Sequence, residues 1–321
     1  MPDINWPALV NDIRKGACTP FIGAGACDPT LPPADKFALA LISDWRDQTG
    51  QSCPLPPEQQ ANLRQVAQFL AVREGPGYKD RIARLIARAG PPDFCDALEP
   101  HVFLARQEEL PLYLTTNYDN FMTLALERER KRERGRKLER EQEEVVPEFA
   151  RWCWLDDERE TIPSDFDENT YCLRPSEPVV FHFHGHAYSK EAVQAIVASE
   201  DDYVDFLVNV SKDIATRPAR AILPLQILRA IRNTKLLFVG YSLKDIDLRM
   251  LFRALLGPLP RSRRRFHVVV QLPPGTGKEL RDYLEEYFYE MLDLSVYWGT
   301  VRDFIRELGE RMKEHGVATC C

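Results

Sequence analysis

Two periodicities divide the chain. Compact runs of β-branched, aromatic and aliphatic residues at 19–23, 112–116, 179–183, 235–240, 266–272 and 294–298 predict strands. Between them apolar positions recur at helical spacing: Leu63, Val66, Ala67 and Leu70; Ile82, Leu85, Ile86 and Ala89; Val301, Phe304, Ile305 and Leu308. A helix over 6–15 has Asn5 as its cap, Pro7 in its first turn and Gly16 as its stop. Further helices are expected from the end of the proline-rich loop 28–35 through Trp45, and over 200–210, 221–232 and 245–256. Strands alternating with helices argue for an α/β fold with a mostly parallel sheet covered on both faces.

The spacing of the strands also sets the organisation. Residues 30–105 read as a helical insertion between the first strand and the second. Residues 127–144 are a charge run whose basic and acidic members nearly cancel, read as a solvated helix or loop, with a partner-binding arm as the other reading. Residues 145–177 are irregular and rich in Trp, Asp and Pro. The expectation is a single domain. Its core comes from 1–29, 106–126 and 177–300, with insertions at 30–105 and 127–176 and a C-terminal helix in 301–321.

Composition changes this picture little. The chain has 321 residues, 44% hydrophobic and 28% charged, ordinary for a globular protein. A net charge of -7 argues against direct nucleic-acid binding, which wants a basic face. No apolar run approaches the ~20 residues that span a bilayer, and the N-terminus has no signal-peptide pattern. The eight cysteines are scattered, so a cytoplasmic protein with free thiols is expected. No Cys-x-x-Cys pair occurs, which removes the spacing of a zinc ribbon.

The chemistry concentrates in four segments that end or follow predicted strands, where loops of an open α/β sheet gather around ligands. Gly23-Ala24-Gly25-Ala26 is a turn whose glycines let backbone approach a pyrophosphate. The full Gly-x-Gly-x-x-Gly fingerprint is absent, since Asp28 stands at its last position, and a plain strand–loop turn is the alternative. In Thr116-Asn117-Tyr118-Asp119, Asn117 can orient a water or a ribose hydroxyl and Asp119 can accept from a carboxamide; either residue can instead cap the following helix. His182, His184 and His186 alternate. No partner spacing completes a metal set with them, and His184, next to Gly185, is the best placed as a general base, with His182 packed and His186 exposed. Gly240-Tyr241-Ser242 offers a glycine and hydroxyls for ribose or phosphate, with Asp245 and Asp247 read as first-turn carboxylates of the next helix, catalytic acids being the alternative. Arg261 to Arg265 form a basic cluster, read as solvated or as a partner contact. Pro274-Gly275-Thr276-Gly277-Lys278 fails the phosphate-loop pattern and is read as a turn.

Together these segments resemble the sirtuin family, and within it the divergent prokaryotic sirtuin-like branch of antiphage defence. Gly23-Ala24-Gly25-Ala26 is similar to its Gly-Ala-Gly loop, Thr116-Asn117-Tyr118-Asp119 to its Thr-x-Asn-x-Asp element, Phe183-His184-Gly185 to its His-Gly element, and Gly240-Tyr241-Ser242-Leu243 to its Gly-x-Ser-Leu loop. The resemblance implies a Rossmann-like core with NAD as substrate. It implies Asn117 and His184 as catalytic residues. Gly23, Ala24, Gly25, Ala26, Thr116, Asp119, Gly240, Tyr241 and Ser242 would then bind the dinucleotide. The four-cysteine zinc module of sirtuin deacylases is missing, Cys27 stands where serine is usual, and the Asp-Phe-Arg after the glycine loop is missing. This points away from deacylation and towards an NAD hydrolase that needs no zinc and acts in abortive infection. Such an enzyme must be silenced in the resting cell. Activation is therefore expected from homo-oligomer assembly, or from a partner such as a hexameric ATPase of the HerA type or a short Argonaute-type protein. The alternatives are a non-catalytic NAD or ADP-ribose-binding subunit, and a deacylase or ADP-ribosyltransferase.

Overall fold

The computed structural model describes residues 4–137, 151–152, 173–188, 193–216, 223–242, 267–275 and 277–317. Among the described residues seven strands form one sheet: β1 (Cys18–Ile22), β2 (Leu112–Thr115), β3 (Arg151–Trp152), β4 (Val179–His182), β5 (Lys235–Val239), β6 (His267–Gln271) and β7 (Leu294–Trp298). Their order is β3-β4-β2-β1-β5-β6-β7 and every pairing is parallel. From β1 the chain lays down β2, then the edge strand β3, then β4 between them, and crosses back to add β5 on the other side. β1 is therefore the topological switch point, and the crevice at the carboxyl ends of β1, β2 and β5 is where this architecture takes a ligand.

The inner strands are buried along their whole length, as a two-faced parallel sheet requires. Successive side chains alternate between two cores. On one face Phe21, Leu114, Phe181 and Phe238 meet α8 (Glu200–Thr216), α9 (Leu225–Asn233) and α10 (Lys278–Leu292) through Phe206, Ile231 and Phe288. On the other, Ile22, Tyr113, Val180 and Leu237 meet α1 (Trp6–Arg14), α7 (Phe121–Lys137) and α11 (Val301–Val317) through Leu9, Met122 and Phe304. Pro20 lies within the central strand, and pairing with β2 is recorded only from Phe21 onward, past the residue that has no N–H to give.

The segment between β1 and β2 carries α2 (Ala34–Thr49), α3 (Pro57–Gln60), α4 (Leu63–Glu74), α5 (Tyr78–Ala89) and α6 (Pro100–Ala105). Phe37, Leu41, Trp45, Val66, Leu70 and Ile82 form a core of their own, closed by Val193, Ile196 and Ala198 from the segment before α8. Asp202 on α8 ties this layer down. It accepts from Tyr78 Oη at 2.5 Å and from the N–H groups of Ala198 and Ser199 at 3.1 Å. Burial alone would raise its pKa, but these bonds hold it below the usual carboxylate value.

Several sequence expectations shift. α9 begins at Leu225 rather than near 221, because Pro224 sits at its N-cap. The stretch read as irregular holds β3 and a short bridge between Arg174 and Glu177. α6 and α10 carry no distinct signal in the sequence reading. The charge run continues α7 as far as Lys137; its remainder, the predicted helix over 245–256 and the Arg261–Arg265 cluster lie outside the described residues.

Candidate functional site

β1 and β5 end side by side, and there the chain closes on itself backbone to backbone. Gly23 N–H donates to Val239 O at 2.8 Å and Gly25 N–H to Gly240 O at 2.8 Å. Residues Ala24–Ala26 form one 3-10 turn, with Ala26 N–H on Gly23 O at 3.0 Å and Cys27 N–H on Ala24 O at 3.1 Å. Gly240 has φ +79, and a Cβ there would lie 2.2 Å from Ala26 N and 2.8 Å from Gly23 O. Only glycine fits. Ala24 and Gly25 are exposed at the rim, and Ser242 is exposed after Tyr241.

Tyr241 fastens this junction to β2. Its hydroxyl donates to Ile22 O at 2.9 Å, accepts from Thr116 N–H at 3.2 Å, and lies 2.9 Å from Thr116 Oγ1. The Gln271 side-chain amide donates to Tyr241 O. Thr116 and Tyr241, both expected at the ligand, thus spend their polar atoms on each other in this structure.

The loop after β2 is a chain of buried polar groups. Thr115 Oγ1 donates to Ile22 O at 2.8 Å and accepts from Asn117 N–H at 2.9 Å. Asn117 Nδ2 donates to Cys27 Sγ at 3.2 Å, and Cys27 Sγ–H donates to Asp119 Oδ2 at 3.3 Å. Asp119 Oδ1 accepts from Phe121 N–H at 3.0 Å, so this carboxylate caps α7 with one oxygen and serves the loop with the other. Burial, and then the Asp119 charge, push the Cys27 thiol well above its usual pKa, and it stays protonated.

β4 ends at His182, and its loop turns at Gly185, φ +69, where a Cβ would meet Ala195 O at 2.7 Å. His182 Nδ1 lies 3.0 Å from Asn117 O. A carbonyl only accepts, so Nδ1 carries the proton, and Nε2 accepts a hydrogen bond from the Tyr188 hydroxyl at 3.2 Å. The loops carrying Asn117 and His184 are therefore stitched together, with Phe183 N–H on Thr115 O at 2.9 Å and Ala187 N–H on Tyr118 O at 2.8 Å. The Asn117 side chain turns to Cys27 and the His184 ring to α8. His184 Nδ1 lies 3.4 Å from Tyr203 Oη, and the ring meets Tyr203 and Phe206 edge-on at 5.0 and 5.1 Å. Among the described residues no hydrogen bond joins the two side chains. Burial, helped by the nearby Arg64 guanidinium, drives the His184 pKa down to about 3, so the ring is neutral. His186, expected at the surface, is instead buried and stacked on Tyr188 at 3.7 Å. The Tyr188 ring takes it out of water, a contact with no signal in the sequence.

Sequence reasoning missed four groups that shape this place: Glu99, His101, Arg64 and Tyr203. All come from inserted or distant helices. Nothing in their local sequence marks them.

A parallel sheet with this strand order, a glycine turn at its switch point and polar loops on the neighbouring strands define a Rossmann-like α/β protein. A model of the SIR2-like domain matches residues 111–292, more than half of the chain, and the protein belongs to that family. The family is one of NAD-dependent enzymes. No match is found among curated proteins. The matched stretch contains the Asn117, His184 and Gly240 segments, whereas the Gly23 turn precedes it and joins the site through Gly240. Among the described residues no helix is long and apolar enough to cross a membrane.

Proposed function

We propose that this protein cleaves NAD to nicotinamide and ADP-ribose, with water as acceptor. The observation that carries the reading is the stitched pair of loops bearing Asn117 and His184 beside the glycine junction of β1 and β5. The reading is supported by the exposed Ala24 and Gly25 at the rim of this junction, where backbone without large side chains could meet a dinucleotide's phosphates. The reaction passes through an oxocarbenium-like ribosyl cation, and nicotinamide leaves readily because it carries positive charge until departure. Asn117 orients the attacking water. Asp119 Oδ2 accepts from the nicotinamide carboxamide in place of the Cys27 thiol. His184 takes the proton at Nε2, which requires the tautomer that donates Nδ1–H to Tyr203 Oη.

The biological role that fits is an abortive-infection effector of bacterial antiphage defence, acting in the cytoplasm. Self-assembly or a partner of the HerA or short-Argonaute type would release its activity. The test is nicotinamide release from NAD by the purified protein, across concentrations that span its assembly states. Release is expected, and Asn117→Ala and His184→Ala should each lower it by about 100-fold or more at unchanged melting temperature. Full activity in both variants overturns the assignment.

One observation favours a second reading, a non-catalytic subunit that binds NAD or ADP-ribose. An imidazole with a pKa of about 3 is a weak base, far from the neutral range where proton transfer is efficient. Ligand-induced thermal stabilisation without nicotinamide release, in every assembly state, would establish it.

A further inference from the structure

Behind the proposed catalytic amide lies a group of side chains of which the proposed reaction uses Asp119 alone. We propose that Cys27, His101 and Asp119 form a binding site for a borderline-soft divalent cation, zinc by its ligand chemistry. The donor atoms, the Cys27 sulfur, a His101 ring nitrogen and an Asp119 carboxylate oxygen, all lie within 4.8 Å of one another. They come from three places: the end of the glycine turn, the first turn of α6 and the cap of α7. All three residues are buried, at 3%, 1% and 6% exposure.

The spacing already approaches coordination. Zinc binds thiolate at about 2.3 Å and carboxylate at about 2.0–2.2 Å, so two such ligands of a tetrahedral ion stand about 3.5 Å apart. Cys27 Sγ and Asp119 Oδ2 are 3.3 Å apart. The outer partners are in place too. Glu99 Oε1 holds His101 Nδ1 at 2.6 Å, while Glu99 Oε2 is pinned by Val102 N–H at 2.7 Å. That is the carboxylate–histidine pair that orients an imidazole and raises its basicity at zinc sites; with Nδ1 held by Glu99, the proposal assigns Nε2 to the metal. Asp119 Oδ1 is fixed by Phe121 N–H, which keeps Oδ2 turned to the thiol, and Asn117 Nδ2 offers an N–H to the sulfur.

Charge favours the same conclusion. A divalent ion offsets the charges of one thiolate and one carboxylate, leaving only the Glu99 carboxylate, which the His101 N–H and the Val102 N–H hold. On binding, the Cys27 S–H bond breaks, its proton leaves to solvent, and the sulfur lone pair forms the metal bond. Three protein ligands leave a fourth position for water. The cation and the nicotinamide carboxamide would both use Asp119 Oδ2, so the two compete for that oxygen; nicotinamide release plays no part in the test, whose failure leaves the NAD reading standing.

The full chain carrying Cys320→Ser and Cys321→Ser, so that the adjacent terminal thiols cannot compete, is stripped with chelator and titrated with Co(II). One equivalent should bind, with thiolate-to-metal charge transfer and tetrahedral d–d absorption, about one proton released, and displacement by Zn(II). Cys27→Ser should abolish the charge-transfer band. Glu99→Gln keeps an oxygen for the α6 cap and should weaken zinc about 10–100-fold, without losing the fold by circular dichroism. Cys95→Ser, at an exposed thiol, should change nothing. Absence of the band in the parent chain, or its survival in Cys27→Ser, overturns the proposal.

Discussion

The two halves of the site are held by opposite means. At the ends of β1 and β5 the chain is fixed by side chains that are missing. Gly23, Gly25 and Gly240 bring backbone against backbone, and the junction is made of main-chain hydrogen bonds. At the ends of β2 and β4 it is fixed by side chains that are present. Thr115, Asn117, Cys27, Asp119, His182 and His184 are all buried, and hydrogen bonds run from Thr115 through Asn117 and Cys27 to Asp119, with His182 on Asn117 O and His184 beside the Tyr203 hydroxyl. The first half tolerates no added atom. The second tolerates no lost partner, because an unsatisfied buried group costs about 1–3 kcal/mol.

The sharpest way to break the comparison is Gly240→Ala. The new Cβ meets the Ala26 and Gly23 backbones, which cannot rotate away, in a conformation with positive φ. A loss of roughly 3 kcal/mol or more, or no soluble protein, is expected by urea unfolding. A variant as stable as the parent would show that the glycine junction is loose.

The His184 half should instead reveal itself through pH. The folded ring titrates at about 3 and an unfolded imidazole at about 6.5. The unfolded chain therefore binds the extra proton between these values. Stability from this group is complete above 6.5 and declines as pH falls towards 3, by about 1.4 kcal/mol per unit. Between pH 7 and pH 5 this contributes about 2 kcal/mol of loss. In His184→Phe that portion of the decline should vanish, and identical urea midpoints shifts in parent and variant would contradict the buried, neutral ring.

The smallest effect concerns the clasp between the halves. Tyr241→Phe removes the bonds to Ile22 O and Thr116, but Ile22 O keeps the Thr115 hydroxyl, so no carbonyl is orphaned. A cost of about 1 kcal/mol in thermal or urea unfolding is expected. A cost as large as that of Gly240→Ala would mean that the hydroxyl, not the glycine, joins β1 to β5.

Much of the fold was legible in the chain. The strands after Gly16, before Asn117 and before Gly185 are apolar runs that only a buried parallel sheet accommodates, and the structure has β1, β2 and β4 there. α4 and α5 show in their spacing of apolar residues, and α1 in its Asn5 cap, whose Oδ1 accepts from Ala8 N–H at 3.0 Å. What stayed hidden was small or non-local. β3 is two residues long, too short for a periodicity, and α6 and α10 lack a clear boundary signal. At the site, Asn117, Asp119 and the glycines stood out because each lies in the loop that follows a strand, where tight turns demand particular residue types.

The sequence by itself therefore determined the layers, the strand ends and the residues standing on them, because those depend on local spacing and on turn chemistry. Only the tertiary structure decided what each side chain faces. It turned Asn117 to Cys27, set His184 against Tyr203, gave Asp119 two duties, and brought His101 with Glu99 from an inserted helix to the glycine turn. The reason is physical. Burial, pKa and ligand geometry come from contacts between residues far apart in the chain, and no local pattern encodes those neighbours.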